Sequence, residues 1–288
     1  MAARVLEVYG EVLGRLLPGD RFGELKVREG QFHYVVVGSR RVVCFARSEA
    51  AAQRLPARGA VLRALAGVDL GVAVPEYLPI GPPGADYLVM TRVAGAPLAE
   101  ELLGGPGVAE AVARQCHDLL ERLSIAGSDA RVRERLPPAP ADRWSRFAED
   151  VRGELYPLMT TAGRERAERE LAPLAALPHR TGALVHGDLG GENLLWDNPD
   201  GLPILRGVVD WDGACLGDPA EDYAAIGAGY GADILTRLLT LAGAATADLA
   251  TRIATIQGTF ALQQALDAHH DGDAEELADG LTAYRGLS

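Results

Sequence analysis

Lysine is almost absent from this chain. Of its 28 basic residues, only Lys26 is a lysine and the rest are arginines. Any chemistry that needs a lysine must use that one or dispense with it. Positive charge is short overall. The 40 acidic residues outweigh the 28 basic ones for a formal net charge of -12, so there is no basic footprint for nucleic acid or an anionic membrane. Cysteine is sparse too. Cys44, Cys116 and Cys215 are odd in number and far apart, which excludes a disulfide framework and points to thiols of a reducing, cytoplasmic compartment. No apolar run reaches the roughly 18 residues of a membrane span, since Asp233 and Arg237 break the longest candidate. Glu7 and Glu11 inside the first apolar stretch argue against a signal peptide. What remains is ordinary globular composition, 48% hydrophobic and 24% charged over 288 residues. That length suits two domains or one large bilobal unit.

The periodicity changes along the chain. Val5, Val8, Val12 and Leu16 form one helical stripe, and Pro18-Gly19-Asp20 stops it. Three short segments at 24–27, 31–37 and 41–45 follow, rich in valine and aromatics and separated by Glu29-Gly30 and Gly38-Ser39. They predict a β-meander. A helix is expected over 49–66, then strands at 75–79 and 86–93 around Gly81-Pro82-Pro83-Gly84. The Gly- and Pro-rich stretch 94–107 reads as a linker. Beyond it, helices are expected at 108–126, 141–160, 163–176, 219–228, 231–243, 246–270 and 274–284, with strands at 194–196 and 204–209. The expected organisation is an α+β bilobal chain: residues 1–93 form an antiparallel β-sheet lobe with a helix, and 94–288 a larger, mainly helical lobe. Charge divides along nearly the same line. Residues 1–90 carry a net +2 and the remainder a net -14, which assigns an anion to the first lobe and a cationic small molecule to the second.

Two motifs carry chemistry. His186-Gly187-Asp188 follows an apolar pair, with Asn193 five residues after Asp188. Asp210 then ends the apolar run Gly207-Val208-Val209. Phosphoryl transfer needs a carboxylate that orients an attacking hydroxyl and oxygen ligands that hold Mg²⁺ against nucleotide phosphates. An Asp on a short loop, an Asn one loop later and an Asp at the end of the next hairpin provide that set.

With these residues in place the chain resembles the aminoglycoside phosphotransferase family, small-molecule kinases with a protein-kinase-like fold. The resemblance rests on His186 to Asn193, on Val209-Asp210-Trp211 and on Gly217-Asp218-Pro219-Ala220-Glu221-Asp222, and spans about residues 20–285. It implies Asp188 as catalytic base, His186 as an orienting residue, Asn193 and Asp210 as Mg²⁺ ligands, and ATP or GTP as co-substrate. Asp218 and Asp222 look structural, with Asp218 expected to cap the helix that begins at Pro219. Gly30 would sit in the phosphate-covering hairpin, with Arg47 beyond the third strand. Met90, Thr91 and Val93 would form the hinge behind and beside the base. Glu192, Glu221 and Asp222 are the candidate acceptor contacts.

One departure stands out. The family's third strand carries a cation facing the phosphates, and the next helix a Glu that holds it. Here those places fall to Cys44 and Gly59. Losing both partners avoids a lone buried charge. Three explanations follow: Arg47, Arg58 or Lys26 reaches the phosphates instead, Mg²⁺ and backbone amides suffice, or the lobe does not bind ATP. The function expected is phosphotransfer to a hydroxyl of an aminoglycoside-like or macrolide antibiotic. The alternative is a pseudokinase, or a repurposed scaffold that binds a small molecule without ATP. A protein acceptor is disfavoured, because only a few residues separate Asp210 from Gly217. Either a monomer or a homodimer is compatible.

Overall fold

A computed structural model describes residues 2–30, 33–82, 84–199, 201–243 and 247–285. Helix α1 (Ala2–Leu16) leads into strands β1 (Lys26–Glu29), β2 (His33–Val37) and β3 (Arg41–Ala46). The first two residues of the expected strand 31–37 lie outside the described residues. Helix α2 (Glu49–Leu65) starts where the Ser48 side chain accepts a hydrogen bond from Ala51 N–H, a serine N-cap. Strands β4 (Tyr77–Leu78) and β5 (Tyr87–Thr91) complete an antiparallel sheet in the order β1-β2-β3-β5-β4. Helix α1 covers one face, where Val5, Leu13 and Leu16 pack on Val36, Val43, Phe45 and Val89. Helix α2 lies on the other and buries Ala51, Leu55, Gly59 and Leu62, a stripe at helical spacing.

The helical part follows: α3 (Val108–Ser128), the single turn α4 (Ala130–Arg133), α5 (Arg143–Asp150) and α6 (Thr161–Ala175). The helix expected over 141–160 is broken by a π turn at Val151–Leu155 and a 3₁₀ turn at Tyr156–Leu158. Pro157 enters at the second break, where a missing N–H is harmless. Four short strands come next: β6 (Ala183–Val185), β7 (Leu194–Asp197), β8 (Ile204–Val208) and β9 (Cys215–Gly217). Helices α7 (Ala220–Tyr230), α8 (Ala232–Leu241), α9 (Ala247–Gln257), α10 (Phe260–Asp271), α11 (Ala274–Gly280) and α12 (Thr282–Arg285) finish the chain. The single helix expected over 246–270 is two, parted at Gly258 and Thr259. None of the described helices is long and apolar enough to cross a membrane.

One apolar core crosses the 93/94 boundary. Cys44, Leu88 and Met90 of the sheet share it with Leu194, Trp196 and Val208. The β7–β8 hairpin is also hydrogen-bonded to both connecting segments, through Ala96 with Trp196 and Ala73 with Arg206 and Val208. The cleft between sheet and helices is therefore floored by a hairpin fixed to both sides.

Candidate active site

Two short antiparallel ladders deliver the motif residues. Strand β6 pairs with β9, Val185 opposite Cys215 and Ala183 opposite Gly217. The first runs directly into His186-Gly187-Asp188, and the second into Asp218 and α7. Strand β7 pairs with β8, Leu194 opposite Val208, so Asn193 and Asp210 emerge side by side at the open end of that hairpin. Val209 N–H donates to Asn193 O at 3.0 Å and closes it.

His186 is fully buried. Its Nε2 lies 2.9 Å from Val209 O, and its Nδ1 accepts Asp188 N–H at 3.2 Å. These partners specify the Nε2–H tautomer of a neutral ring. Burial agrees, holding the imidazole pKa down at about 4. His186 therefore orients the loop and ties it to the β8 end. Gly187 has φ 86°, and a Cβ there would lie 2.8 Å from Gly213 O, so only glycine fits between His186 and Asp188. Asp188 faces the cleft, where enclosure by the protein and then the facing Asp210 raise its pKa above the ordinary carboxylate value. Asn193 is buried, and its Nδ2 donates to Asp188 O at 2.8 Å and to Asp188 Oδ2 at 3.0 Å, so its side-chain oxygen takes neither bond. Asp210 has φ 63°, the single left-handed non-glycine among the described residues. Asp tolerates that region better than most residues, and backbone strain of this kind gathers at functional sites.

Of the two roles open to Asp222, structural support and acceptor contact, its surroundings favour the first: it is 1% exposed. Its carboxylate accepts His186 N–H at 2.9 Å and Gly187 N–H at 3.0 Å. Both oxygens are committed to the backbone of the loop before Asp188, so Asp222 is an anchor. Asp218 caps α7 through Ala220 N–H at 3.1 Å and is in addition ion-paired with buried Arg252. Glu221 is buried against Arg143, 2.6 Å away, but both line the cleft, as does exposed Glu192.

The cleft has a volume of about 820 Å³. Six carboxylates line it: Asp188, Glu192, Asp210, Asp212, Glu221 and Asp267. Against them stand two arginines, Arg58 and Arg143. The sequence reading missed Asp212 and Asp267. Asp212 had a signal, standing two residues after Asp210 in Asp-Trp-Asp. Asp267 had none beyond its helix.

The expected nucleotide-side residues are distributed unevenly. Gly30 closes the β1–β2 turn, its N–H donating to His33 O, and lines the cleft. Arg47 pairs with Glu29 at 2.9 Å and donates to Gly30 O at 2.8 Å. Lys26 is exposed on edge strand β1. Cys44 is 1% exposed within the core, and burial pushes its thiol up to about 11. Met90 is buried in the sheet between Val42 and Tyr77. Thr91 gives its N–H to Glu76 O at 2.9 Å, so that amide is not available to a nucleotide base. The backbone of Val93, just past the strand, is the remaining hinge candidate. Gly59 faces Leu88 and Tyr77, away from the cleft. Its neighbour Arg58 points into the cleft, 3.0 Å from Asp210 Oδ1 and 2.7 Å from Asp212 Oδ1.

The sequence matches the profile of the family described as "Phosphotransferase enzyme family" over residues 28–256. It is 60% identical over 286 residues to viomycin phosphotransferase of Streptomyces vinaceus, covering 98% of this chain and all of the relative. Among solved structures, the GDP and kanamycin complex of the aminoglycoside phosphotransferase APH(2")-IIIa superposes with a TM-score of 0.80 at 21% identity, over 96% of this chain and 97% of the other. Macrolide 2'-phosphotransferase type I superposes with a TM-score of 0.70 at 21% identity, over 100% and 99%.

Proposed function

Since the chain belongs to the phosphotransferase enzyme family, we propose that it moves the terminal phosphate of ATP or GTP to a hydroxyl of viomycin or a closely related antibiotic. Membership makes the protein an enzyme, so the reading as a non-catalytic scaffold falls. The observation that carries the acceptor is the 60% identity to viomycin phosphotransferase along essentially the whole chain. The acid-lined cleft supports it, because a negative concavity concentrates a cationic acceptor. In this reading Asp188 takes the acceptor's proton, and the Asn193 amide, donating to its carboxylate, holds Asp188 in place. Glu192, Glu221 and Asp267 contribute to the acceptor wall.

Asn193 and Asp210 present hard oxygen donors at one hairpin end, and the Asp210 side chain is half exposed. A magnesium ion fits such a pair, since it takes one or two protein oxygens and fills its shell with phosphate and water. When bound it would neutralise charge on the transferred phosphoryl group. Val93 would meet the nucleotide base through its backbone.

Purified protein incubated with viomycin, kanamycin or a macrolide, each with ATP and with GTP, tests the proposal by nucleotide turnover and by mass gain of the antibiotic. Viomycin should gain one phosphate, and Asp188→Asn should lose at least about a thousandfold in kcat, in line with loss of a catalytic group's proton transfer and positioning. Faster turnover of kanamycin or of the macrolide would refute the acceptor. Undiminished turnover by Asp188→Asn would refute the base.

A further inference from the structure

The third strand offers Cys44 where the family's phosphate-facing cation belongs, yet a cation does stand beside that place. We propose that Arg58 of α2 is the phosphate clamp of this enzyme, the charge having moved from the strand to the helix facing it. This rests on the phosphotransfer reading above.

Four observations support the assignment. First, among the described residues Arg58 is the one sheet-lobe cation in the cleft lining, where it stands with Gly30, His33, Asp188 and Asp210; Arg54, one turn earlier on α2, acts on His33, Asp212 and Asp267 from outside that lining. Arg47 is engaged with Glu29 and Gly30 on the hairpin, Lys26 is exposed on β1, and Arg143 is paired with Glu221. Second, the Arg58 side chain is only 13% exposed. Its Nη2 reaches Asp210, its Nε reaches Asp212, and its Nη1 lies 3.4 Å from His33 Nδ1. Donors from three nitrogens are thus fixed at the mouth of the metal-ligand hairpin, and a planar fork of this kind matches phosphate oxygens.

Third, position 59 faces away from the cleft. A side chain at Gly59 would meet Leu88 and Tyr77, whereas position 58 faces the site. Fourth, Cys44 is buried and lies close enough to Arg58 for the two to interact electrostatically. A small uncharged residue there leaves the guanidinium no competitor; a lysine would set two cations side by side. In the structure Arg58 neutralises Asp210 and Asp212. With nucleotide bound, the phosphates take the guanidinium and release Asp210 for the cation, so nucleotide and metal ligand are coupled through one side chain.

The experiment is calorimetric titration of ATP·Mg²⁺ and GTP·Mg²⁺, with adenosine and guanosine as phosphate-free probes. The proteins are wild type, Arg58→Ala, Arg58→Lys, Arg58→Ala/Cys44→Lys and, as a charge control, Arg63→Ala, whose arginine stacks on Tyr77 away from the cleft. Arg58→Ala should weaken triphosphate binding by about 10- to 100-fold, the scale of hydrogen bonds to a charged group. Nucleoside binding and the KM for viomycin should change less than about twofold on the scale of that effect, and Arg63→Ala should match wild type. Cys44→Lys should restore part of the affinity in the Arg58→Ala background, a rescue that a merely structural arginine would not give. Triphosphate binding by folded Arg58→Ala within about twofold of wild type, well inside the expected loss, overturns the proposal and leaves the phosphotransfer reading intact. If Arg58→Ala does not fold, Arg58→Lys and Arg58→Gln take its place: ordered affinities with Lys above Gln support the clamp, and equal affinities overturn it. Failure of the wild type to bind either triphosphate removes the phosphotransfer reading and this inference together.

Discussion

Replacing Asp222 by Asn separates the two roles that this carboxylate was open to. In the structure it is buried and accepts the N–H groups of His186 and Gly187 at 2.9 and 3.0 Å. A hydrogen bond to a charged acceptor contributes about 1.5–3 kcal/mol. Asn keeps one acceptor oxygen and turns an NH₂ group toward the second amide, so one bond is lost and a buried N–H is left unsatisfied. The expected cost is ~2–4 kcal/mol. For a chain of this size ~1 kcal/mol moves Tm by about 2–4 °C, so calorimetry should show a fall of roughly 5–12 °C. Burial pushes the Asp222 carboxyl up to about 7, above its unfolded value, so ionisation takes stability from the folded state as pH rises, and the loss on substitution should be larger at pH 6 than at pH 8. The amides that Asp222 holds precede Asp188 directly. Kinetically, kcat should therefore fall while the KM for the acceptor holds steady. A Tm within about 2 °C of wild type, combined with a selective rise in acceptor KM, would refute this reasoning and return Asp222 to the acceptor wall.

Two further outcomes follow from the packing and the buried imidazoles. Gly127 of α3 sits so close to Ala183 and Leu184 of β6 that a Cβ would overlap their backbone. Gly127→Ala should therefore lower stability by ~1–3 kcal/mol or more, seen as a lower urea midpoint, and an unchanged midpoint would show that helix and strand can part freely. His33 and His186 are both held near pKa 4 by burial, below the unfolded value of about 6.5. Between those values the unfolded chain binds more protons, so their contribution to stability falls as pH drops from about 6.5 to 4. The wild-type urea midpoint should accordingly fall more between pH 7 and pH 4.5 than that of His33→Gln, and identical slopes would show that His33 is not held neutral.

The site was more legible in the sequence than its supports were. His186, Asp188, Asn193 and Asp210, singled out by their spacing along two connected loops, come together in the structure. The ladder that aims them, β6 with β9, was not foreseen. Each strand is only three residues long, too short to show any alternation, and each becomes a strand only because the other lies beside it. Asp222 was left between a structural and an acceptor role for a related reason: an acid on the first turn of a helix looks alike whether it meets solvent, substrate or backbone. Arg58 and Gly59 turned on a single residue of helical register. One residue is a turn of about 100°, enough to exchange the cleft for the underside of the sheet. The broken helix at 151–158 reflects a different limit, since apolar spacing continues through a π turn without marking it.

A cation carried on the helix, as proposed, in place of one on the strand also changes how the enzyme can be attacked. Reagents that acylate an amine beside the phosphates have no lysine to reach here, because Lys26 lies exposed on the edge of the sheet. The thiol at Cys44 offers no substitute: it is buried, and with its pKa up at about 11 almost none of it is thiolate. A guanidinium resists most electrophiles. Under the proposed assignment, an inhibitor of the nucleotide side finds no amine or thiolate to capture there, and its anchor is the planar donor face of Arg58.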